Sequence, residues 1–301
     1  MDRPTFATNF CVCTGIRREN IRTLRIHGAF FISLVPIFFF NIMYYVLLFA
    51  LFILILSFFM RRRKIPRYIF LTYKPEYNDL HQVIKDNIEN TKRKNPGYEV
   101  RYYSDSDARK FIEKNYPQYL EEYDVLVPKA YKADLLRLLL VYKYGGVYND
   151  IGHMYLKPID SFITNETLVV CRDKGIEGLP PYFLHNAIIA ATPEHPLIKE
   201  AIDVVIENIR NRYYGETPLY PTGPGALGRA FNRYFKRGEK EIPIGMFRSD
   251  IKILNHPGVF IKDIDGTDII KTKFDNYYEI VYPDKKRYYH DLWNDRKVYA
   301  S

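Results

Sequence analysis

Three side chains in one stretch offer the chemistry most directly readable from this 301-residue sequence. Lys132 to Asp160 reads KADLLRLLLVYKYGGVYNDIGHMYLKPID, and its candidates are Asp134, Arg137 and Asp150. From Leu135 to Val141 the run is apolar on nearly every face, the mark of a helix packed on all sides. Asp134 and Arg137 interrupt it three residues apart, on one face. Charges on such a helix need partners, and an i,i+3 pair can satisfy itself. Gly145 and Gly146 supply the left-handed backbone that stops a helix, and Val147-Tyr148 then opens a strand. Asp150 falls at the end of that strand beside a turn, where open α/β sheets bind ligands. A carboxylate there can anchor a divalent cation or cap the turn that follows. No Ser-His-Asp or Cys-His arrangement is evident, and no CxxC, HExxH, GxGxxG or Walker pattern occurs.

The surrounding elements must position these residues. Lys64 to Tyr73 reads as a linker entering a first buried strand, Tyr68–Thr72. Tyr73 at its carboxyl end is a flat aromatic that can stack on a planar ligand or close the rim of a core. A helix follows with Leu80, Val83, Ile84 and Ile88 at helical spacing, then the Asn95-Pro96-Gly97 turn. Tyr98–Tyr103 alternates as a strand, and Ser104 or Asp105 caps a helix through Ala108–Asn115. Thr167–Cys171 and Tyr182–Thr192 read as further strands, the second with polar Asn186 inside it. Pro196–Arg212 is an amphipathic helix, and another runs from about Ala226 to Phe235. Strand, helix, strand and helix within about 50 residues indicate an α/β sheet with parallel strands.

D-L-L-R, then G-G-V-Y-x-D, then L-K-P-I-D resembles the DXD sugar-binding region of glycosyltransferase family 32. That family includes initiating and sphingolipid mannosyltransferases and is distantly similar to glucosylating bacterial toxins. Asn95–Glu99 matches the family's N-P-G-Y-E, and Asn186 through Pro196 resembles its N-A-x-x-A-A-x-P-x-H-P. Thr222-Gly223-Pro224 matches its T-G-P turn, so family-like motifs span roughly residues 65–293. The resemblance implies a GT-A-type fold around a central, mainly parallel sheet. It implies transfer of a hexose from a nucleotide-diphosphate sugar, GDP-mannose or a UDP-hexose, to a glycan, lipid or protein hydroxyl. Retention of anomeric configuration and a Mn²⁺ or Mg²⁺ cofactor belong to the same implication. By it, Asp150 holds the metal or diphosphate, and Asp134 and Arg137 contact the donor sugar and phosphate. Tyr73 lies by the nucleobase and Tyr148 by the ribose, while Asn186 is suited to bond a sugar hydroxyl. His290 and Trp293, in a carboxyl-terminal tail, reach the metal and the diphosphate.

One position departs from the family. Gly152 stands where the second Asp is usual. On a regular strand Asp150 and residue 152 point the same way, so the missing carboxylate leaves Asp150, donor phosphates and water to hold the ion. His290 or Asp291 can assist, and His153 replaces the carboxylate only where the backbone bulges or the strand ends by Ile151. The departure also supports an alternative, a non-catalytic nucleotide-sugar-binding or scaffold protein derived from this fold.

Residues 1–64 hold nine Lys/Arg against Asp2 and Glu19, which is +7 of the net +9 and leaves +2 for residues 65–301. The excess flanks a hydrophobic run, which favours an anionic membrane surface over nucleic acid as partner. Gly28 to Met60 is 33 residues without a charge, longer than the roughly 20 that span a bilayer. The reading is a polar tail (1–27), a membrane segment (28–60) with a spanning helix from about Ile42, and a catalytic domain (61–301). Basic residues after the segment favour a cytoplasmic domain, whereas the family resemblance implies a Golgi or ER lumenal one. Asn165-Glu166-Thr167 is a glycosylation acceptor that matters only in the lumen. With Cys11, Cys13 and Cys171 alone, the domain has no internal disulfide.

Overall fold

The computed structural model describes residues 43–53, 64–174, 180–282 and 288–301. The chain divides into two units, Met1–Arg61 and Arg62–Ser301. In the first, residues 43–53 form a helix, α1, whose side chains are all exposed. Among the described residues no helix is long and apolar enough to cross a membrane. The polar tail and most of the hydrophobic segment lie outside the described residues.

The second unit begins with β1 (Tyr68–Thr72), α2 (Gln82–Lys94), β2 (Glu99–Tyr103) and α3 (Asp105–Asn115). It continues through α4 (Leu120–Val125), α5 (Lys129–Tyr144), β3 (Gly146–Asn149), β4 (Met154–Tyr155), β5 (Leu168–Arg172) and β6 (Leu184–Ala191). Then come α6 (Pro196–Arg210), α7 (Pro224–Tyr234), β7 (Gly245–Arg248), β8 (Ile251–Asn255), β9 (Phe260–Lys262) and β10 (Asp268–Lys271). Two short helices close the chain, α8 (Tyr277–Val281) and α9 (Tyr288–Asn294).

These strands form one sheet of order β2-β1-β3-β6-β5-β8-β9-β10-β4, with β7 on β8. The expectation of a mainly parallel sheet needs correction: the sheet is mixed. Only β1–β2, β1–β3 and β5–β8 pair in parallel among the described strands, and the other pairs are antiparallel. Parallel neighbours need a long crossover, which α2 gives to β1 and β2. β5 and β6 follow one another with no helix between them among the described residues, and they pair antiparallel.

Both faces of the central strands are buried. Ile69, Leu71, Val169, Cys171, Ile188 and Ala190 face one apolar core, while Phe70, Leu168, Val170, Ile189 and Ala191 face the other. That two-residue alternation between two cores is why these strands read as nearly continuous apolar runs. α5 lies in the larger core, with Leu135 to Val141 buried throughout, as its all-round apolar sequence predicts.

Local rules set the element ends. Ser104 is the cap of α3: its hydroxyl accepts from the Asp107 N–H and the Asp107 carboxylate accepts in return. In α2 the buried stripe is Ile84, Asn87, Ile88 and Thr91; Val83 faces solvent and Leu80 precedes the helix, unlike the periodic reading. The glycine pair after α5 is fixed by conformation and space together. Gly145 and Gly146 have φ of +64° and +101°, and a Cβ on Gly145 would lie 2.7 Å from the Pro193 nitrogen. A Cβ on Gly146 would lie 2.8 Å from the Tyr68 carbonyl. The helix can therefore turn straight into β3 beside β1.

Candidate active site

Because β1 and β3 are parallel neighbours, Tyr73 and Asp150 emerge at the same carboxyl edge. α5 runs against this edge and carries Asp134 and Arg137 to it; β6, on the other side of β3, brings Asn186. Arg137 Nη2 lies 3.0 Å from Asp134 Oδ1, and Arg137 Nη1 lies 3.5 Å from Asp150 Oδ1. The guanidinium also donates to the Asn186 carbonyl at 2.7 Å and to the Ala133 carbonyl at 3.2 Å. It sits over the Tyr148 ring at 4.5 Å from the centroid, and the Tyr148 hydroxyl donates to Asp150 Oδ1 at 2.8 Å. Asn186 Nδ2 and the Thr222 hydroxyl each donate to Asp134, both at 2.8 Å.

The electrostatics follow from this packing. Burial works against the Arg137 charge, but Tyr148, Asp150 and Asp134 around it raise its pKa above the ordinary arginine value. Burial pushes the Asp134 carboxyl up, against the pull of Arg137, Thr222 and Asn186. Tyr148 is raised well above the usual phenol value, chiefly by burial, so it remains a donor to Asp150. The result is one buried cation shared by two carboxylates, of which Asp150 alone is substantially exposed, at 38% of its side chain.

Two cavities meet at these residues. One, of about 430 Å³, is lined by Thr72, Tyr73, Tyr148, Tyr282 and Leu292; the other, of about 360 Å³, by Asp134, Asn186, His185 and His256. Tyr282 lines both, as do Ala130, Arg137, Asp150, Tyr277 and Tyr289. The structure thus gathers Asp134, Arg137, Tyr148, Asp150 and Asn186, with Tyr73 across the first cavity. It does not bring His290 or Trp293 to either cavity. α9 presents Tyr289 and Leu292 instead, while the Trp293 indole donates to the Tyr214 carbonyl at 2.9 Å and packs on the larger core. On a helix, residues three apart share a face, so Tyr289 and Leu292 turn inward together and His290 and Trp293 turn elsewhere.

Gly152 differs from the regular-strand picture. β3 ends at Asn149, and Asp150 to His153 make a turn closed by the His153 N–H on the Asp150 carbonyl at 3.0 Å. A Cβ on Gly152 would lie 2.5 Å from Cε2 of the Tyr277 ring, which covers the place of a second carboxylate. His153 does not fill that place either. It is buried, its Nδ1 is 3.0 Å from Asn149 Oδ1, and burial lowers its pKa to about 3. Gly152→Asp is therefore expected to destabilise the fold by about 1–3 kcal/mol through overpacking against Tyr277. Denaturant titration of Gly152→Asp, Tyr277→Ala and the double variant checks this. The double variant should recover about 1 kcal/mol or more relative to the sum of the singles; strict additivity would show that the ring does not occupy the site.

Sequence reasoning gave no role to Thr222, Tyr277, Asp173 or His256. Thr222 had a signal in the T-G-P match. The others come from a distant helix, α8, and from the residues that follow β5 and β8.

Residues 81–169 match the family described as "Glycosyltransferase sugar-binding region containing DXD motif". Over these residues the chain is similar to that sugar-binding region. The match spans α2 to the start of β5 and so includes Asp134, Arg137, Tyr148 and Asp150. Inositol phosphoceramide mannosyltransferase 1 of Schizosaccharomyces pombe is 26% identical over 176 residues, 57% of this chain and 52% of the relative. Initiation-specific alpha-1,6-mannosyltransferase of Candida albicans is 34% identical over 89 residues, 29% of this chain and 23% of the relative. The chain spans about half the length of these curated relatives, or less. Among solved structures, the PaToxG glycosyltransferase aligns at 23% identity over 58% of this chain and 70% of that one, with a TM-score of 0.43.

Proposed function

We propose that this chain is a membrane-anchored glycosyltransferase of GT-A type that moves a hexose from a nucleotide-diphosphate sugar to a hydroxyl acceptor, with retention. The observation that carries the reading is the shared wall of two cavities at Arg137 and Asp150, inside the sugar-binding region. The nucleotide fits the cavity of Tyr73 and Tyr148, where aromatic faces can stack on base and ribose. The sugar lies across the wall toward Asp134 and Asn186, and the acceptor enters from the second cavity. Arg137, fixed by five neighbouring groups, holds positive charge where the diphosphate becomes more negative as the sugar departs. No dedicated protein base is required for front-side attack, since positioning and phosphate stabilisation supply the barrier reduction.

A divalent cation fits this site on limited terms. Asp150 offers one exposed carboxylate, and Gly152 and Tyr277 remove the second. Asp150 with donor phosphates and water can hold Mn²⁺ or Mg²⁺, which neutralises the leaving diphosphate when bound. The relatives' names favour a mannosyl donor and a lipid or glycan acceptor. The hydrophobic segment before residue 61 and the exposed acceptor Asn165 favour a secretory-pathway membrane with a lumenal domain.

The test is donor turnover by the detergent-solubilised chain with Mn²⁺, comparing GDP-mannose with UDP-glucose, UDP-galactose and UDP-N-acetylglucosamine. Hydrolysis or transfer from GDP-mannose is expected. The covered Gly152 favours a second reading, binding without turnover. Saturable nucleotide-sugar binding with no hydrolysis or transfer from any donor would establish that reading in place of the first.

A further inference from the structure

Asp173 follows β5, His185 lies in β6 and His256 follows β8, and the three meet on the wall of the second cavity. Strand register brings them together, because Arg172 pairs with Leu184 on one side and Asn255 on the other. Asp173 Oδ1 is 3.1 Å from His256 Nδ1 and 3.5 Å from His185 Nδ1, and one ligand atom from each residue lies within 4.8 Å of the others. The two imidazole rings are 4.1 Å apart between centroids.

With His256 neutral, their hydrogen bonding is incomplete. His256 Nε2 faces the Gly258 carbonyl, which can only accept, so Nε2 carries the proton. Neutral His256 then presents its Nδ1 lone pair to the Asp173 carboxylate, acceptor against acceptor. His185 turns Nδ1 toward the same carboxylate, and its Nε2, on the other side of the ring, is buried with no hydrogen-bond partner among the described residues. We propose that Asp173, His185 and His256 form a binding site for a borderline divalent cation such as Zn²⁺, with an open coordination position facing the cavity shared with Asp150.

The spacing suits that ion. Tetrahedral Zn²⁺ with bonds of about 2.0–2.1 Å places its ligands roughly 3.3–3.4 Å apart, between the two contacts of Asp173. Two imidazoles and one carboxylate select zinc-like ions over Mg²⁺ or Ca²⁺, which prefer oxygen. A backbone carbonyl receiving the outer N–H of a ligating histidine is the usual outer-shell support, here Gly258 for His256. Three protein ligands leave a fourth position for water or a hydroxyl group. This site is separate from the cation held by Asp150 and the donor, and it needs no nucleotide.

Co²⁺ titration of the chelator-stripped 301-residue chain in detergent, without nucleotide, tests the proposal. The expected result is one equivalent bound, visible d–d absorption of low-coordinate cobalt, and displacement by Zn²⁺. His256→Gln and His185→Gln should each weaken binding by ~100-fold or more, and Asp150→Asn should leave it unchanged. Near-ultraviolet circular dichroism monitors the fold; if His256→Gln unfolds, the partly exposed His185→Gln decides. Absence of the absorption band overturns the proposal and leaves an Asp173–imidazolium ion pair. Equal binding by the wild type and a folded histidine variant, or loss of binding in Asp150→Asn, also overturns it. Because no sugar nucleotide is used, failure here leaves the transferase reading untouched.

Discussion

Asp150→Asn is expected to lower sugar transfer by ~10²–10³-fold while the protein remains folded, since loss of a central electrostatic group in a transition state costs about 3–4 kcal/mol. The expectation rests on exposure. Asp150 keeps 38% of its side chain accessible and lies on the wall of both cavities, so its charge is directed at whatever enters them. Asparagine preserves an acceptor for the Tyr148 hydroxyl, now 2.8 Å from Oδ1. Arg137 retains Asp134 as its closer partner, so the substitution should shift stability by less than about 1 kcal/mol. Initial rates with the active donor, beside a denaturation curve, measure both. Retention of a tenth of wild-type transfer would remove Asp150 from the centre of the mechanism.

Arg137→Ala should damage fold and activity together, costing about 3–5 kcal/mol of stability. The guanidinium is 7% exposed and holds Asp134, Asp150, two carbonyls and the Tyr148 face at once. Its removal strands the Asp134 carboxylate in the protein interior with only Thr222 and Asn186 as donors. Burial already pushes that carboxyl up, and the main opposing force is lost with Arg137. The sign follows from the direction. A carboxyl whose folded pKa exceeds its unfolded value favours folding below the unfolded value, near pH 4, and loses that contribution as pH rises through the folded one. The variant should therefore be relatively more stable in acid than at neutral pH when its urea midpoints are compared with those of the wild type. Arg137→Lys tests the geometry separately, since a point charge cannot bridge both carboxylates and the Asn186 carbonyl. A variant as stable as wild type at neutral pH would show that Asp134 takes no support from Arg137.

The sequence alone determined the parts that depend on near neighbours. Leu135 to Val141 had to form a helix buried on every side, and Gly145-Gly146 could end it because glycine adopts the positive φ of a helix stop without strain. β1 was readable from its apolar run, and Ser104 as a cap from its spacing to Asp107. Asp134, Arg137, Tyr148 and Asp150 lie within one such stretch, so their assembly was legible too.

Only tertiary structure decided the rest. The antiparallel half of the sheet depends on pairing among distant strands, and apolar alternation is identical for either direction. Tyr277 covers Gly152 from 125 residues away in sequence (277 minus 152), a contact without local signature. Asp173, His185 and His256 share no spacing motif, and they meet because β5 pairs with β6 on one edge and β8 on the other. His290 and Trp293 parted from the site for the opposite reason. The tail folds as a short helix, and rotation of about 100° per residue turned Tyr289 and Leu292 inward in their place.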